Sequence, residues 1–224
     1  MATANSPVLA STVAVLRNSA QGIETLMLRK NSEISFGGMW VFPGGRIDEE
    51  DFVKAGSSEH LAVARVAAVR EAEEEASIII DPESMVHFAF WLPPARAAKR
   101  YATWFFVTGA GEDAVVIDDG EITEYQWMCP KTALQKCNES AIELAPPTWV
   151  SLHTLSAFES VEAALQGLQA RVPQRYETRL IKGPHGLIAL WEGDAGYASS
   201  DAGVPGARHR LEMIKGGYKY IVEA

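Results

Sequence analysis

The chain has 224 residues, 47% hydrophobic and 22% charged, and its 20 Lys+Arg against 29 Asp+Glu leave a formal charge of −9. The apolar fraction excludes a disordered chain, and no segment approaches the roughly 18 unbroken apolar residues that span a bilayer as a helix. Net acidity without a basic stripe speaks against nucleic acid as a partner. An enzyme acting on phosphates stays open, because bound metal ions can manage anion repulsion locally.

Residues 8–17 and 23–29 are apolar or β-branched runs flanking Asn18-Ser19-Ala20-Gln21-Gly22, a turn composition, and predict an opening hairpin. The apolar stretch 8–16 lacks a basic flank and is interrupted by Ser11 and Thr12, so it reads as a strand and not a signal peptide. Met39-Trp40-Val41-Phe42 is a short strand stopped by Pro43-Gly44-Gly45. Residues 59–76 predict a helix capped by Ser57 or Ser58. Leu61, Val63, Val66 and Val69, with alanines between, run nearly all the way round it, as on a helix buried on most sides.

Residues 78–80, 86–92, 101–108 and 121–128 predict strands; 130–137 and 156–171 predict helices. After Pro173 glycine becomes frequent, and short strands are expected at 186–191 and 218–222. This mixture, without strict alternation, predicts an α+β fold of layered sheet and helices. A core over residues 1–172 and a C-terminal extension of the same domain over 173–224 are expected. Cys129 and Cys137 form neither a disulfide framework nor a zinc pair and read as ordinary thiols of a reducing compartment. The last residues carry no retention or peroxisomal address, so the expected location is cytoplasmic.

The informative stretch is Arg70-Glu71-Ala72-Glu73-Glu74-Glu75-Ala76. Helical positions i, i+3 and i+4 share a face, so Glu71, Glu74 and Glu75 project together and Glu73 points elsewhere. Three carboxylates on one face of an apolar helix repel one another. Near a helix C-terminus each also opposes the dipole by roughly 0.3–1 kcal/mol. A solvated acidic face is the plain alternative; a hard divalent cation with oxygen ligands would resolve the repulsion.

Context favours the cation. A glycine turn, an acidic stretch and then Arg-Glu-x-x-Glu-Glu on a helix resembles the Nudix hydrolase signature. Gly45 matches its opening glycine, and Arg70, Glu71, Ala72, Glu74, Glu75 and Ile78 match its second half. Three positions depart: Asp51 stands for a glutamate, residues 52–69 are 18 where the signature has seven, and Ser77 replaces a helix-ending glycine. A non-glycine residue in a left-handed cap costs on the order of 1 kcal/mol.

The split box resembles the branch that includes coenzyme A diphosphatases. So do Arg29 followed by Ser35-Phe36-Gly37-Gly38, the run Tyr101-Ala102-Thr103-Trp104-Phe105-Phe106 and the closing Pro205-Gly206-Ala207-Arg208-His209-Arg210. The fuller coenzyme A signature is not met: Leu26-Met27-Leu28-Arg29-Lys30 replaces one run, and Ile34 stands where an arginine is wanted.

The resemblance implies an α/β/α sandwich with a mixed central sheet, a buried metal-binding helix and a strand-rich C-terminal extension. It implies a Mg²⁺- or Mn²⁺-dependent hydrolase of a nucleoside diphosphate linked to another group, with coenzyme A or acyl-coenzyme A one candidate. ADP-ribose- or NADH-type dinucleotides are alternatives, as is a non-catalytic nucleotide-sensing module. The expected partner is a small-molecule nucleotide diphosphate, with no nucleic acid and no membrane, in a chain that could form a homodimer.

By resemblance, Glu74 and Glu75 are metal ligands, Glu71 is a third ligand or the base, and the Gly44 carbonyl is a further ligand. Arg70 is structural, orienting a glutamate through a salt bridge. Arg29, Gly45, Trp104 and His153 are the candidate substrate contacts. Trp91, Tyr101, Phe106 and Trp149 are aromatics that could stack on a base or pack the sheet.

Overall fold

The structure is a computed structural model describing residues 6–33, 36–97 and 99–223. Ile34 and Ser35, two positions weighed in the coenzyme A resemblance, lie outside the described residues.

The chain opens with β1 (Val8–Ser19) and β2 (Gly22–Lys30), then β3 (Trp40–Val41), β4 (Gly44–Arg46), α1 (Glu49–Ala55) and α2 (His60–Ala76). It continues through β5 (Val86–Leu92), β6 (Tyr101–Gly109), β7 (Ile122–Met128), α3 (Pro130–Asn138), α4 (Pro146–Leu155) and α5 (Val161–Gln169). Strands β8 (Gln174–Glu177), β9 (Arg179–Lys182), β10 (Gly186–Leu190), β11 (Arg208–Ile214) and β12 (Gly217–Glu223) close it.

The central sheet is mixed. β1 lies parallel to β6, β5 antiparallel to β6, and β8 parallel to β5. The hairpin partners β1 and β2 pair only near their turn, from Leu16 opposite Thr25 to Ser19 opposite Gly22. Beyond that they diverge, and the chain fills the gap with its own segment 40–46: β3 pairs with β2 and β4 with β1. The Pro43-Gly44-Gly45 turn is thereby wedged between two strands. The Pro43 carbonyl accepts from the Val13 amide (3.0 Å) and from Thr12 Oγ1 (2.7 Å). β7 pairs along the other edge of β2.

Strand alternation sends successive residues to opposite faces. Val13, Val15, Leu26, Leu28, Trp104 and Phe106 pack on one face against Ala64, Ala68, Ala72 and Ala76 of α2. No residue from Leu61 to Ala72 is exposed, as a helix apolar nearly all round requires. Each alanine methyl contributes only about 0.8 kcal/mol of burial, so small size, which brings the helix backbone close to the strands, matters more than area. Ala14, Leu16, Met27, Phe105 and Val107 pack on the other face with side chains from α3, α4 and α5. The result is the expected α+β sandwich with a mixed sheet.

β9 to β12 form a second, four-stranded antiparallel sheet in the order β12-β11-β10-β9. Its Leu211, with neighbouring Trp191, joins the second core. Trp191 stands edge-on to the stacked pair Trp91 and Tyr176, at 5.4 and 5.1 Å. Both cysteines are free thiols. Among the described residues no helix is long and apolar enough to cross a membrane.

Several expected elements change. α2 starts at His60 with Glu59 as N-cap and no side-chain cap; Ser57 Oγ instead accepts the Glu59 amide (3.0 Å). Residues 78–80 pair with no strand: Ile78 and Ile80 plug the core while Ile79 is 70% exposed. The helix expected over 156–171 begins only at Val161, where Ser160 Oγ caps the Ala163 amide. α1 and α4 are additional. α1 carries a capping box, Asp48 with Asp51, and α4 starts on Pro146-Pro147, a residue type suited to a first helical turn.

Candidate active site

The last turns of α2 lie beneath the wedged glycine turn. α2 ends at Ser77 in the left-handed conformation (φ 55°), whose amide returns to the Ala72 and Glu73 carbonyls. The helix ends where a glycine would end it, with a residue that carries the strain. Gly45 is required for space: a Cβ there would stand 2.6 Å from Glu71 Oε2, inside contact distance. A Cβ on Gly44, with φ at 155°, would collide with the Thr12 Cα at 2.7 Å. The two glycines let the turn sit directly on the carboxylates.

Arg70 holds the first half of the site. Its Nε and Nη2 donate to both oxygens of Asp51 (each 3.0 Å), its Nη1 donates to Glu71 and to Glu74 (each 2.9 Å), and its Nη2 also reaches the Arg46 carbonyl (2.8 Å). Asp51 is fully buried, and its second role is to accept the Asp48 amide in the capping box of α1. Burial acts to raise the Asp51 pKa, yet Arg70 and the Asp48 amide outweigh it and hold the carboxyl below its ordinary range. The Asp51 hydrogen bonds also push the Arg70 pKa upward. Asp51 is therefore tied to Arg70 and does not join the glutamates. The long insertion after it is spent on the rest of α1, a connection and the N-terminal turns of α2.

Lys30 holds the second half, and sequence reasoning missed it. Its Nζ donates to Glu75 Oε1 and to Glu121 (3.2 Å), and Glu75 Oε2 accepts the Gly44 amide (2.9 Å). Burial would lower the Lys30 pKa, but Glu75 and then Glu121 raise it. The signal was in the alternation: Lys30 shares parity with Leu26 and Leu28, the α2 face, whereas Arg29 does not.

The carboxylates outnumber these cations. Glu71 is pushed up to about 7, first by burial, against the opposing Arg70 charge, and further by Glu75 and Glu74. Burial also raises Glu75. The helix face therefore does not stand as three free carboxylates. Arg70 and Lys30 occupy them, and among the described residues no group of three His, Cys, Asp or Glu is arranged as a cation cage. The donor chemistry is all oxygen and fits a hard divalent ion, which would relieve the excess negative charge once Arg70 and Lys30 release their partners.

The remaining expected contacts divide by face. Arg29 faces away from the glutamates, ion-pairs with Glu124 at 3.4 Å, and lines a cleft of about 800 Å³ with Trp40, Gln126, Lys136, Leu144 and Tyr218. Trp104 lies on the glutamate face but is 9% exposed, packed edge-on against Phe90 (4.8 Å) and His60 (5.9 Å) under α2. It packs with the core under α2. His153, on α4, stacks on Trp149 (5.6 Å) and meets Tyr220 edge-on (5.3 Å); burial lowers its pKa. It is exposed on α4, over Trp149 of the core on the other face, away from the glutamates. Trp91, Phe106 and Trp149 are buried core residues, and Tyr101 is half-buried against Phe36.

Comparison with known proteins agrees with this architecture. The NUDIX domain model matches residues 8–148. The fold is similar to a NUDIX hydrolase from Alicyclobacillus acidocaldarius (TM-score 0.67, 19% identity, 75% of this chain and 99% of that one). It is also similar to the NUDIX domain of Shewanella oneidensis NrtR complexed with ADP ribose (TM-score 0.52, 17% identity, 66% and 86% covered). With the glutamate helix docked under a Pro-Gly-Gly turn between diverging strands, and the family match spanning most of the chain, the protein belongs to the Nudix family and is a Nudix-type hydrolase.

Proposed function

We propose that the chain is a Mg²⁺- or Mn²⁺-dependent diphosphatase that cleaves a nucleoside diphosphate linked to another group. The carboxylate surplus under the glycine turn carries this reading: among the described residues, Glu71, Glu74, Glu75 and the adjacent Glu121 pair with no cations but Lys30 and Arg70. Glu74 and Glu75 would hold the ion, with Glu71 a third ligand or the base and the Gly44 carbonyl a further ligand. A divalent ion there would neutralise the diphosphate and lower the pKa of an attacking water. Arg70, anchored by Asp51, positions Glu71 and Glu74. Lys30 supplies an ammonium that can move from Glu75 to a phosphate oxygen. Arg29, at the end of β2 but on the face opposite the glutamates, and the cleft beside it would receive a group that reaches round the strand end beyond the diphosphate.

The split box supports coenzyme A or acyl-coenzyme A as substrate. ADP-ribose is the second reading, because a similar Nudix domain carries it. The test is a panel of coenzyme A, acyl-coenzyme A, ADP-ribose, NADH, diadenosine polyphosphates and nucleoside triphosphates, each with Mg²⁺, Mn²⁺ or chelator. At least one should be cut at its diphosphate only when metal is present; metal-dependent hydrolysis of none would reject the proposal.

A further inference from the structure

Beneath Glu71 lies a hydroxyl that the packing does not use. Ser11 is 1% exposed, and its Oγ has no hydrogen-bond partner among the described residues. A buried unpaired hydroxyl costs stability, so its presence asks for a use.

Three observations fix where it points. Ser11 shares parity on β1 with Val13 and Val15, which pack against α2. Its neighbour on β6 is Trp104, a member of the same cluster. Its partner on β4 is Gly45, whose missing Cβ would fall 2.6 Å from Glu71 Oε2. Paired residues of an antiparallel ladder point to one face with Cβ positions about 5 Å apart. The Ser11 hydroxyl therefore stands on the floor on which the Glu71 carboxylate rests. Threonine 12, next along the strand, faces the other way and bonds Pro43, so it cannot substitute.

We propose that Ser11 is a positioning residue for Glu71. In the arrangement described above, Arg70 Nη1 holds Glu71 Oε1. When that guanidinium gives way, the Ser11 hydroxyl donates to the carboxylate and keeps it directed at the ion and the reacting water. Without the hydroxyl, the carboxylate would have the open glycine floor on one side and nothing to set its orientation. The inference rests on the function proposed above, in which Glu71 is a ligand or base.

The test compares Ser11→Thr with Ser11→Val, side chains of one shape that differ by the hydroxyl, and adds Ser11→Ala, which introduces no bulk. Binding of Mn²⁺ alone to the metal-free protein, followed by electron paramagnetic resonance, should be about 10-fold weaker in the Val and Ala variants than in the Thr variant, as for a lost hydrogen bond to a charged group. On the best panel substrate their kcat should fall at least as far, with KM within about two-fold, while Tm without metal holds or rises because an unpaired hydroxyl has gone. Equal Mn²⁺ affinity and equal kcat in the Thr and Val variants would overturn the proposal. Glu71→Gln separates the two levels. If it weakens Mn²⁺ binding and turnover while Thr and Val agree, only Ser11 is refuted; if it changes neither, the reading of the site fails and Ser11 with it.

Discussion

Two clusters of acid and base in this molecule are put to opposite ends. In the C-terminal sheet, Asp194 accepts both Nε and Nη2 of Arg210 (each 2.7 Å) and the amides of Gly196 and His209 (2.9 and 3.0 Å). Burial works against its charge, but these four donors win and hold its pKa at about 2. Every lone pair has a donor and one acid meets one base. Under the glycine turn, Asp51, Glu71, Glu74, Glu75 and Glu121 share Arg70 and Lys30, and Glu71 rises to about 7. A complete pair is a fastening; an incomplete one is an opening for a cation. The distinction lies in the ratio of charges to donors: Asp51 and Glu75 are as buried as Asp194, whereas Glu74 and Glu121 reach solvent.

Breaking each cluster through its arginine should separate them most. Arg210→Met leaves Asp194 buried and charged, and should cost about 3–5 kcal/mol in urea unfolding, with turnover per folded molecule unchanged. Arg70→Met also leaves a buried carboxylate, Asp51, unpaired and should cost a comparable amount, but here Mn²⁺ should return part of the loss. No such recovery is expected for Arg210→Met. Mn²⁺ rescue of both variants, or of neither, would remove the contrast.

Acidity sharpens it next. The folded-state pKa of Asp194 is lowered, so its stabilisation is present above the ordinary value of 3.8 and lost as pH falls towards about 2. The Glu71 pKa is raised, so its contribution is full below 4.5 and lost as pH rises through about 7. Urea unfolding of the metal-free protein should show both limbs. Glu71→Gln should flatten the limb between pH 5 and 7 and leave the acid limb in place. The smallest effect is expected at the helix end: Ser77→Gly relieves a left-handed serine and should stabilise by about 1 kcal/mol without changing kcat.

Much of this was legible in the chain. The apolar alternation of β1 and β2, the Pro-Gly-Gly stop and the alanine-rich span of α2 follow from periodicity and turn chemistry. What escaped depends on pairing across distance. Ile78-Ile79-Ile80 has strand composition but finds no neighbour strand to complete its hydrogen bonds. Asp48 and Asp51 spell a capping box, yet an acidic run hides it. Arg29 was the conspicuous cation at the strand end, but a one-residue step turns it to the far face and gives the carboxylates Lys30. Trp104 and His153 were proposed from their sequence surroundings; Trp104 packs in the core, whereas His153 stays exposed and stacked on Trp149.

The account stands most directly on one pair of variants. Glu74 shares Arg70 with Glu71, whereas Glu73, one residue earlier, is exposed on another side of α2. With the best substrate of the panel and saturating Mn²⁺, kcat of Glu74→Gln should fall by about 10²-fold or more, and kcat of Glu73→Gln should stay within about two-fold of the parent. Equal effects of the two substitutions would contradict the assignment of the glutamate face as the catalytic one.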